Sequence, residues 1–208
     1  MTVNHFLHYV LDDWFIKEVQ PRMKGRSFLI RFADDYIAGF ELESDAKRAL
    51  VAMAKRFNRF DLELHPEKTK LIFFGRSFDD NGKGQKPGTF DFLGFTFYRG
   101  ISRRGYCVIK KKTANKRLNR FRKNVWDWCR KNRHKPLQDQ YATLCSKLRG
   151  HYQYFGVICN FKAIAKTSYY TLRAWRYWLC RRCHKGNVKY NDLETQYPLP
   201  EPRIVHNI

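Results

Sequence analysis

The sequence predicts an α+β first half followed by an all-α second half. Three observations carry that expectation. Apolar residues alternate on both sides of Asp34-Asp35, as in a β-hairpin. From Thr113 onward the apolar period changes to that of a helix. A chain of 208 residues, 43% of them hydrophobic, can bury one or two small cores and is not a disordered tail.

The elements follow in order. Phe6, Tyr9, Val10 and Trp14 have helical spacing, which predicts a helix over residues 4–19 that ends before Pro21. Phe28, Ile30 and Phe32 alternate with Leu29 and Arg31, and Tyr36 to Phe40 is again β-compatible. Ser44 can cap the next helix, with Asp45 suited to its positive end. Ala46, Ala49, Leu50, Met53, Ala54 and Phe57 give that helix one apolar stripe. Leu71 to Phe74 reads as a short strand, Asp79 to Gly88 as a polar loop, and Phe90 to Tyr98 and Tyr106 to Ile109 as strands. Three amphipathic helices come next. Their stripes are Leu118, Phe121, Val125 and Trp128; then Tyr141, Leu144, Cys145, Leu148, Tyr152 and Phe155; then Phe161, Ile164, Ala165, Leu172, Trp175 and Leu179. A proline-rich extended tail begins at Asn187.

Charge points to a polyanionic partner. The net charge is +22, an argument about partners and not about fold. Between Arg99 and Lys135 fifteen Lys or Arg face one acid, Asp127. A solvated helix face normally mixes signs, because like charges three or four apart repel. Nucleic acid would neutralise this stretch and release counterions. The residues expected to contact it are Lys110, Lys111, Lys112, Lys116, Arg117, Arg120, Lys123, Arg130 and Arg149. No apolar run is long enough to cross a membrane. No signal peptide is visible at Met1 to Val10, so a cytoplasmic location and reduced thiols are expected for the six cysteines. Cys180-Arg181-Arg182-Cys183-His184 spells the c-type haem pattern, but at the end of an amphipathic helix it reads better as structural. A zinc site there would need further ligands such as His151 or Cys159.

Asp34-Asp35 is the sharpest chemical signal. Two adjacent carboxylates at a hairpin tip repel each other, and a hard divalent cation such as Mg²⁺ would explain them. The plain alternative is a turn that uses Asp for its geometry.

Four segments in order resemble a known family. Phe32-Ala33-Asp34-Asp35 is similar to the catalytic box of group II intron reverse transcriptases, also called maturases. Leu62 to Lys70 (LELHPEKTK) resembles the next block, and Phe90-Asp91-Phe92-Leu93-Gly94-Phe95 the primer grip. Leu148 to Val157 (LRGHYQYFGV) resembles the signature of the helical maturase, or thumb, domain. Pro198 to Ile204 resembles the ending of bacterial members without an endonuclease domain. The resemblance implies a partial reverse-transcriptase palm, an antiparallel sheet with packing helices, over residues 1–110. It implies an all-α thumb or maturase domain over 111–186 and an extended tail over 187–208.

The implied chemistry is RNA-directed DNA synthesis by two-metal phosphoryl transfer. By resemblance Asp34 and Asp35 ligate Mg²⁺, Lys68 approaches the departing phosphates or is an ordinary surface lysine, and Leu93, Gly94 and Phe95 support the primer terminus. Gly94 would let backbone approach closely. The implied partners are group II intron RNA, an RNA template with DNA primer, and dNTPs. The family also uses an earlier metal-binding Asp and a Pro-Gln-Gly block, and Asn4 to Asp12 resembles the segment just after that block. Asp12 and Asp13 are expected to face solvent and cannot replace that Asp. The chain alone is therefore expected to be inactive, and a separate N-terminal reverse-transcriptase fragment is an expected partner. The competing reading is a non-catalytic RNA-binding module that promotes intron folding and splicing.

Overall fold

The computed structural model describes residues 3–75, 85–182 and 188–206. The chain forms two compact units, Met1–Phe73 and Phe74–Ile208. Both carry small antiparallel sheets and packed helices, a mixed α/β fold.

The first unit opens with α1 (Val3–Leu7), which winds on as π-helix over His8–Asp13 and Phe15–Val19 and closes in a 3-10 turn at Gln20–Arg22. The helix therefore runs past the expected stop at Pro21. Proline is tolerated in the first positions of that turn, where an amide hydrogen has no partner to lose. The wider i→i+5 winding also rotates the inner face. Val10, Leu11, Phe15 and Val19 are buried, whereas Tyr9, expected on the stripe, is 59% exposed.

Strands β1 (Ser27–Phe32) and β2 (Asp35–Phe40) pair antiparallel, with Phe32 opposite Asp35. Leu29, Tyr36, Ala38 and Phe40 point inward onto Ala49, Met53 and Phe57 of α2 (Glu43–Asn58). Ser44 does not cap α2. Leu42 occupies that position without a side-chain bond, and Glu43 and Asp45 supply the acidic first turn. Asp45 has a different task. Its buried carboxylate accepts from the amides of Lys24 (2.8 Å) and Gly25 (2.9 Å) and from Arg48 (2.6 Å). These donors, the Gly25 amide foremost, hold its carboxyl below the usual range. Leu71 to Phe74 forms no strand: it joins neither sheet among the described residues, although the Phe74 ring packs on Phe90 and its carbonyl accepts from Arg99 (2.9 Å), and Leu71 and Phe73 stay exposed. Of the expected loop at 79–88, residues 79–84 lie outside the described residues.

In the second unit the expected strand Phe90 to Tyr98 is two strands, β3 (Phe90–Phe92) and β4 (Phe95–Ile101). Leu93 and Gly94 both take left-handed backbone, φ 49° and 79°, and make a two-residue hairpin turn. β5 (Cys107–Thr113) completes the sheet, starting one residue and ending four residues later than expected. Then come α3 (Asn115–Asn132), α4 (Leu137–Phe155) and α5 (Phe161–Leu179), close to their predicted spans. Val125, Cys129, Leu144, Leu172, Trp175 and Leu179 form their core. Phe161, expected in the third stripe, is 51% exposed at the start of its helix. No helix among the described residues is long and apolar enough to cross a membrane.

The compact units divide earlier than the boundary expected after residue 110, because the β3–β5 sheet is tied to the helices. Asn160 sits at the N-cap position of α5, yet its side chain makes no cap bond. Its Oδ1 accepts from the Thr113 amide (2.8 Å), and its Nδ2 donates to Thr113 Oγ1 (2.8 Å) and the Phe155 carbonyl (2.7 Å). The tail is only partly extended. It holds α6 (Tyr190–Gln196), whose Leu193 enters the helical core. Beyond α6 it lies along α4, where Tyr141 and Tyr152 hydroxyls donate to the Pro198 and Pro200 carbonyls. The Val205 and His206 amides donate to the Gly156 carbonyl.

Asn160→Ala leaves the buried Thr113 amide without an acceptor. It should destabilise the second unit by about 1–3 kcal/mol, read as a lower urea midpoint with an unchanged slope.

Candidate active site and nucleic-acid interface

The β1–β2 turn consists of Ala33 and Asp34, and Ala33 holds φ 54°, a left-handed conformation that costs a non-glycine residue about 1–3 kcal/mol. A brace fixes it. Arg31 donates through Nη1 to the Ala33 carbonyl (2.8 Å) and grips Asp12 with two bonds of 2.7 Å. Asp12 is thus not the solvent-facing residue the sequence suggested. Its side chain is 21% exposed, and Arg31 holds its carboxyl below the usual range. Asp13 likewise pairs with Lys17 at 2.9 Å.

Asp34 and Asp35 themselves are exposed and make no ion pair among the described residues. No group of three or more potential ligands gathers anywhere among the described residues. The pair fits a single hydrated Mg²⁺, which is commonly held by one or two carboxylates. It does not by itself furnish a full two-metal cage. Lys68 is exposed just after a turn closed by amides on the His65 carbonyl, with no bond to either Asp.

The second unit contains a cleft of about 360 Å³ lined by Leu93, Gly94, Arg117, Arg120, Phe121, Asn124, His151, Tyr154 and Phe155. The Leu93–Gly94 turn, the basic helix α3 and the His151–Phe155 end of α4 thus meet at one place. The Tyr154 hydroxyl donates to the Leu93 carbonyl (2.9 Å), and its ring stacks on Phe95 at 5.8 Å. The Ala114 amide donates to the Gly94 carbonyl (2.9 Å). Glycine is needed at 94 for its left-handed backbone more than for close approach, since a Cβ there would meet Arg117 only at 3.5 Å.

Of the other basic candidates, Lys112, Lys116, Lys123 and Arg130 are exposed. Lys110 donates to the Ile101 carbonyl, and Lys111 is half-buried. Arg149 lines a different cleft, with Arg203 and the Pro200–Pro202 stretch. In the sequence His151 stands out only as a possible further zinc ligand, and Tyr154 carries no signal of its own. Cys180 is half-buried, its Sγ accepting from the Val188 amide at 3.4 Å. Cys183 and His184 lie outside the described residues.

His151 is 7% exposed, sandwiched between Phe121 (4.4 Å) and Phe155 (4.7 Å), and its Nε2 has no partner. Burial pushes its pKa down to about 4.

Adjacent carboxylates thus lie at an exposed β-turn in the first unit, and the second unit carries a cleft lined by arginines. Residues 2–97 match the family model for reverse transcriptase (RNA-dependent DNA polymerase). The match covers just under half of the chain and takes in the Asp34–Asp35 tip, Lys68 and the Leu93–Gly94 turn. A domain of that kind directs DNA synthesis from an RNA template. No curated protein matches the chain.

The buried neutral histidine sets a pH dependence. Between an unfolded pKa near 6.5 and the folded value of about 4, the unfolded chain binds the extra proton. Stability is therefore full above that window and falls as pH drops through it. His151→Phe should flatten the fall, read as a smaller loss of Tm between pH 6.5 and 4 than in the parent chain.

Proposed function

We propose that the chain is a group II intron reverse transcriptase/maturase segment that binds intron RNA and takes part in RNA-directed DNA synthesis. The observation that carries this reading is the reverse transcriptase match across a hairpin that presents Asp34 in its turn and Asp35 at the start of β2. On this reading residues 1–110 are a partial palm, 111–186 the helical thumb or maturase domain, and 187–208 its tail.

Each set of residues has a task. Asp34 and Asp35 would hold Mg²⁺, and Arg31 keeps their turn in position through the Ala33 carbonyl. Bound Mg²⁺ would supply activation of a 3′-hydroxyl and charge neutralisation at pyrophosphate. Lys68 would face the departing phosphates. Leu93, Gly94 and Phe95, backed by Tyr154, would support the primer strand, with Arg117 and Arg120 along the same cleft for its phosphates. Template RNA, DNA primer and dNTPs are the substrates, and a separate N-terminal reverse-transcriptase fragment is a proposed partner.

One observation favours the second reading, a non-catalytic RNA-binding module. Asp34 and Asp35 gather no third ligand among the described residues, whereas the cationic cleft is fully formed.

Primer extension on an RNA template with Mg²⁺ separates the two. The 208-residue chain alone should give no product, and addition of a family N-terminal fragment should restore synthesis in the parent but not in Asp34→Ala. Synthesis by the chain alone that is lost in Asp34→Ala would contradict the need for a further carboxylate. No synthesis with the fragment, with RNA binding intact, would favour the binding module.

Arg117, Arg120 and Lys123 replaced together by Ala should weaken RNA binding. The slope of log affinity against log salt should flatten by roughly 0.7–0.9 for each lost phosphate contact. An unchanged slope would sink phosphate contact by this face.

A further inference from the structure

We propose that the C-terminal ends of α3 and α5 form a stacking platform for an unpaired nucleic-acid strand, an inference that rests on the polynucleotide-binding reading above and adds a second site to it. Three rings meet there. Trp126 lies 4.7 Å from Tyr177 and 5.3 Å from Trp178, and Tyr177 and Trp178 are 5.2 Å apart. Trp126 and Trp178 are rooted against the helical core, whereas Tyr177 is outside it and 37% exposed. The platform is therefore rigid beneath, and the Arg181 guanidinium, 3.5 Å over the Tyr177 ring, forms its outer plane.

Guanidinium groups surround the rings. Arg181 sits 3.5 Å over Tyr177, and Arg130 and Arg133 lie 5.9 and 5.8 Å from the Trp178 centroid. None of these arginines pairs with a carboxylate among the described residues, where every ion pair lies between His8 and Arg48.

The chemistry selects the occupant. Planar cations alone would suit any polyanion, including a duplex. Rings interleaved with planar cations suit bases that have left the helix, because a base can stack on a tyrosine face or on a guanidinium plane while its phosphate meets a neighbouring arginine. A duplex hides those faces. The patch also uses none of the residues that line the Leu93–Arg117–His151 cleft, so the two sites can be altered separately.

The test is fluorescence anisotropy of the full chain with a short unstructured RNA oligomer, the same oligomer in DNA, and an RNA duplex. Tyr177→Ala should weaken binding of both unpaired oligomers by about five-fold to a hundred-fold, the range for losing one base stack. The salt slope should stay that of the parent, because no phosphate contact is lost. Tyr177→Phe, which keeps the ring, should bind as the parent does and shows that the site is otherwise intact. Duplex affinity should change less than two-fold in either variant.

Equal losses on duplex and unpaired strands would overturn stacking and leave a merely cationic surface. Parental affinity of Tyr177→Ala for the unpaired oligomers would overturn the platform, as would a change in oligomeric state without a change in binding, which would mark a protein interface. Failure of the parent chain to bind any of the three probes would instead refute the polynucleotide-binding reading itself.

Discussion

Every carboxylate–cation pair among the described residues lies at or before Arg48, so the three long helices of the second unit pack with no described cation of theirs within salt-bridge distance of an acid. Like charges three or four apart on a helix repel. The attraction that overcomes this is apolar and aromatic. Trp175 is fully buried, its indole donates to Gln140 at 2.8 Å, and Gln140 in turn donates to the Lys135 carbonyl at 2.7 Å. Rings take over part of the carboxylates' role. Arg122 lies over Tyr170, Lys147 over Trp128, Arg173 over Tyr169 and Arg181 over Tyr177. A cation on a ring keeps its full charge for a ligand, as a cation in a salt bridge does not. A polyanion bound to the unit would therefore stabilise it, through the usual linkage of binding to folding.

The two hairpin turns solve the same problem in different ways. Both have a non-glycine residue in left-handed backbone, Ala33 at one and Leu93 at the other. Strain of this kind persists only where the surroundings over-determine it. At Ala33 the surroundings are electrostatic, an arginine held by Asp12 and donating to the turn carbonyl. At Leu93 they are a tyrosine hydroxyl on one carbonyl and an amide on the next. Arg31 belongs to β1 itself but is anchored by Asp12 of the first helix, and Tyr154 belongs to α4, so each turn's conformation depends on the packing of its own unit.

Much of this was legible in the sequence where periodicity and chemistry agree. Asp34-Asp35 stands out because two charges interrupt an apolar alternation, and the hairpin is where that pattern puts it. The three long helices follow from their stripes. The rest depends on through-space partners. Asp45 was read as a helix-end charge but is used to pin the Lys24–Gly25 backbone. The π-winding of the first helix leaves no mark in a spacing template built on regular α-helix. Phe90 to Tyr98 reads as one strand because Leu93 is apolar, and only its backbone angle reveals the turn. His151 is one aromatic-flanked residue among several in the sequence, and its missing partner appears only when α3 and α4 meet.

The separation of cores bears on which reading of the function each feature supports. Val10, Phe15, Met53 and Phe57 belong to one cluster, and Val125, Leu144, Trp175 and Leu179 to another, with no residue in common. The carboxylate tip therefore depends on the first core, the Tyr177 patch on the second, and the Arg117 cleft on the second through Phe121 and on a further cluster of Leu148, Tyr152 and Ile164 through Phe121 and Phe155. Loss of the tip's charge does not disturb the packing that shapes the cationic surface, since Asp34 and Asp35 are exposed and hold no partner among the described residues. On the proposed reading, polynucleotide binding by the helical unit would stand without chemistry at the tip. The converse would not follow, because on that reading the strand to be extended must also be gripped, and the Leu93–Gly94 turn belongs to the second unit.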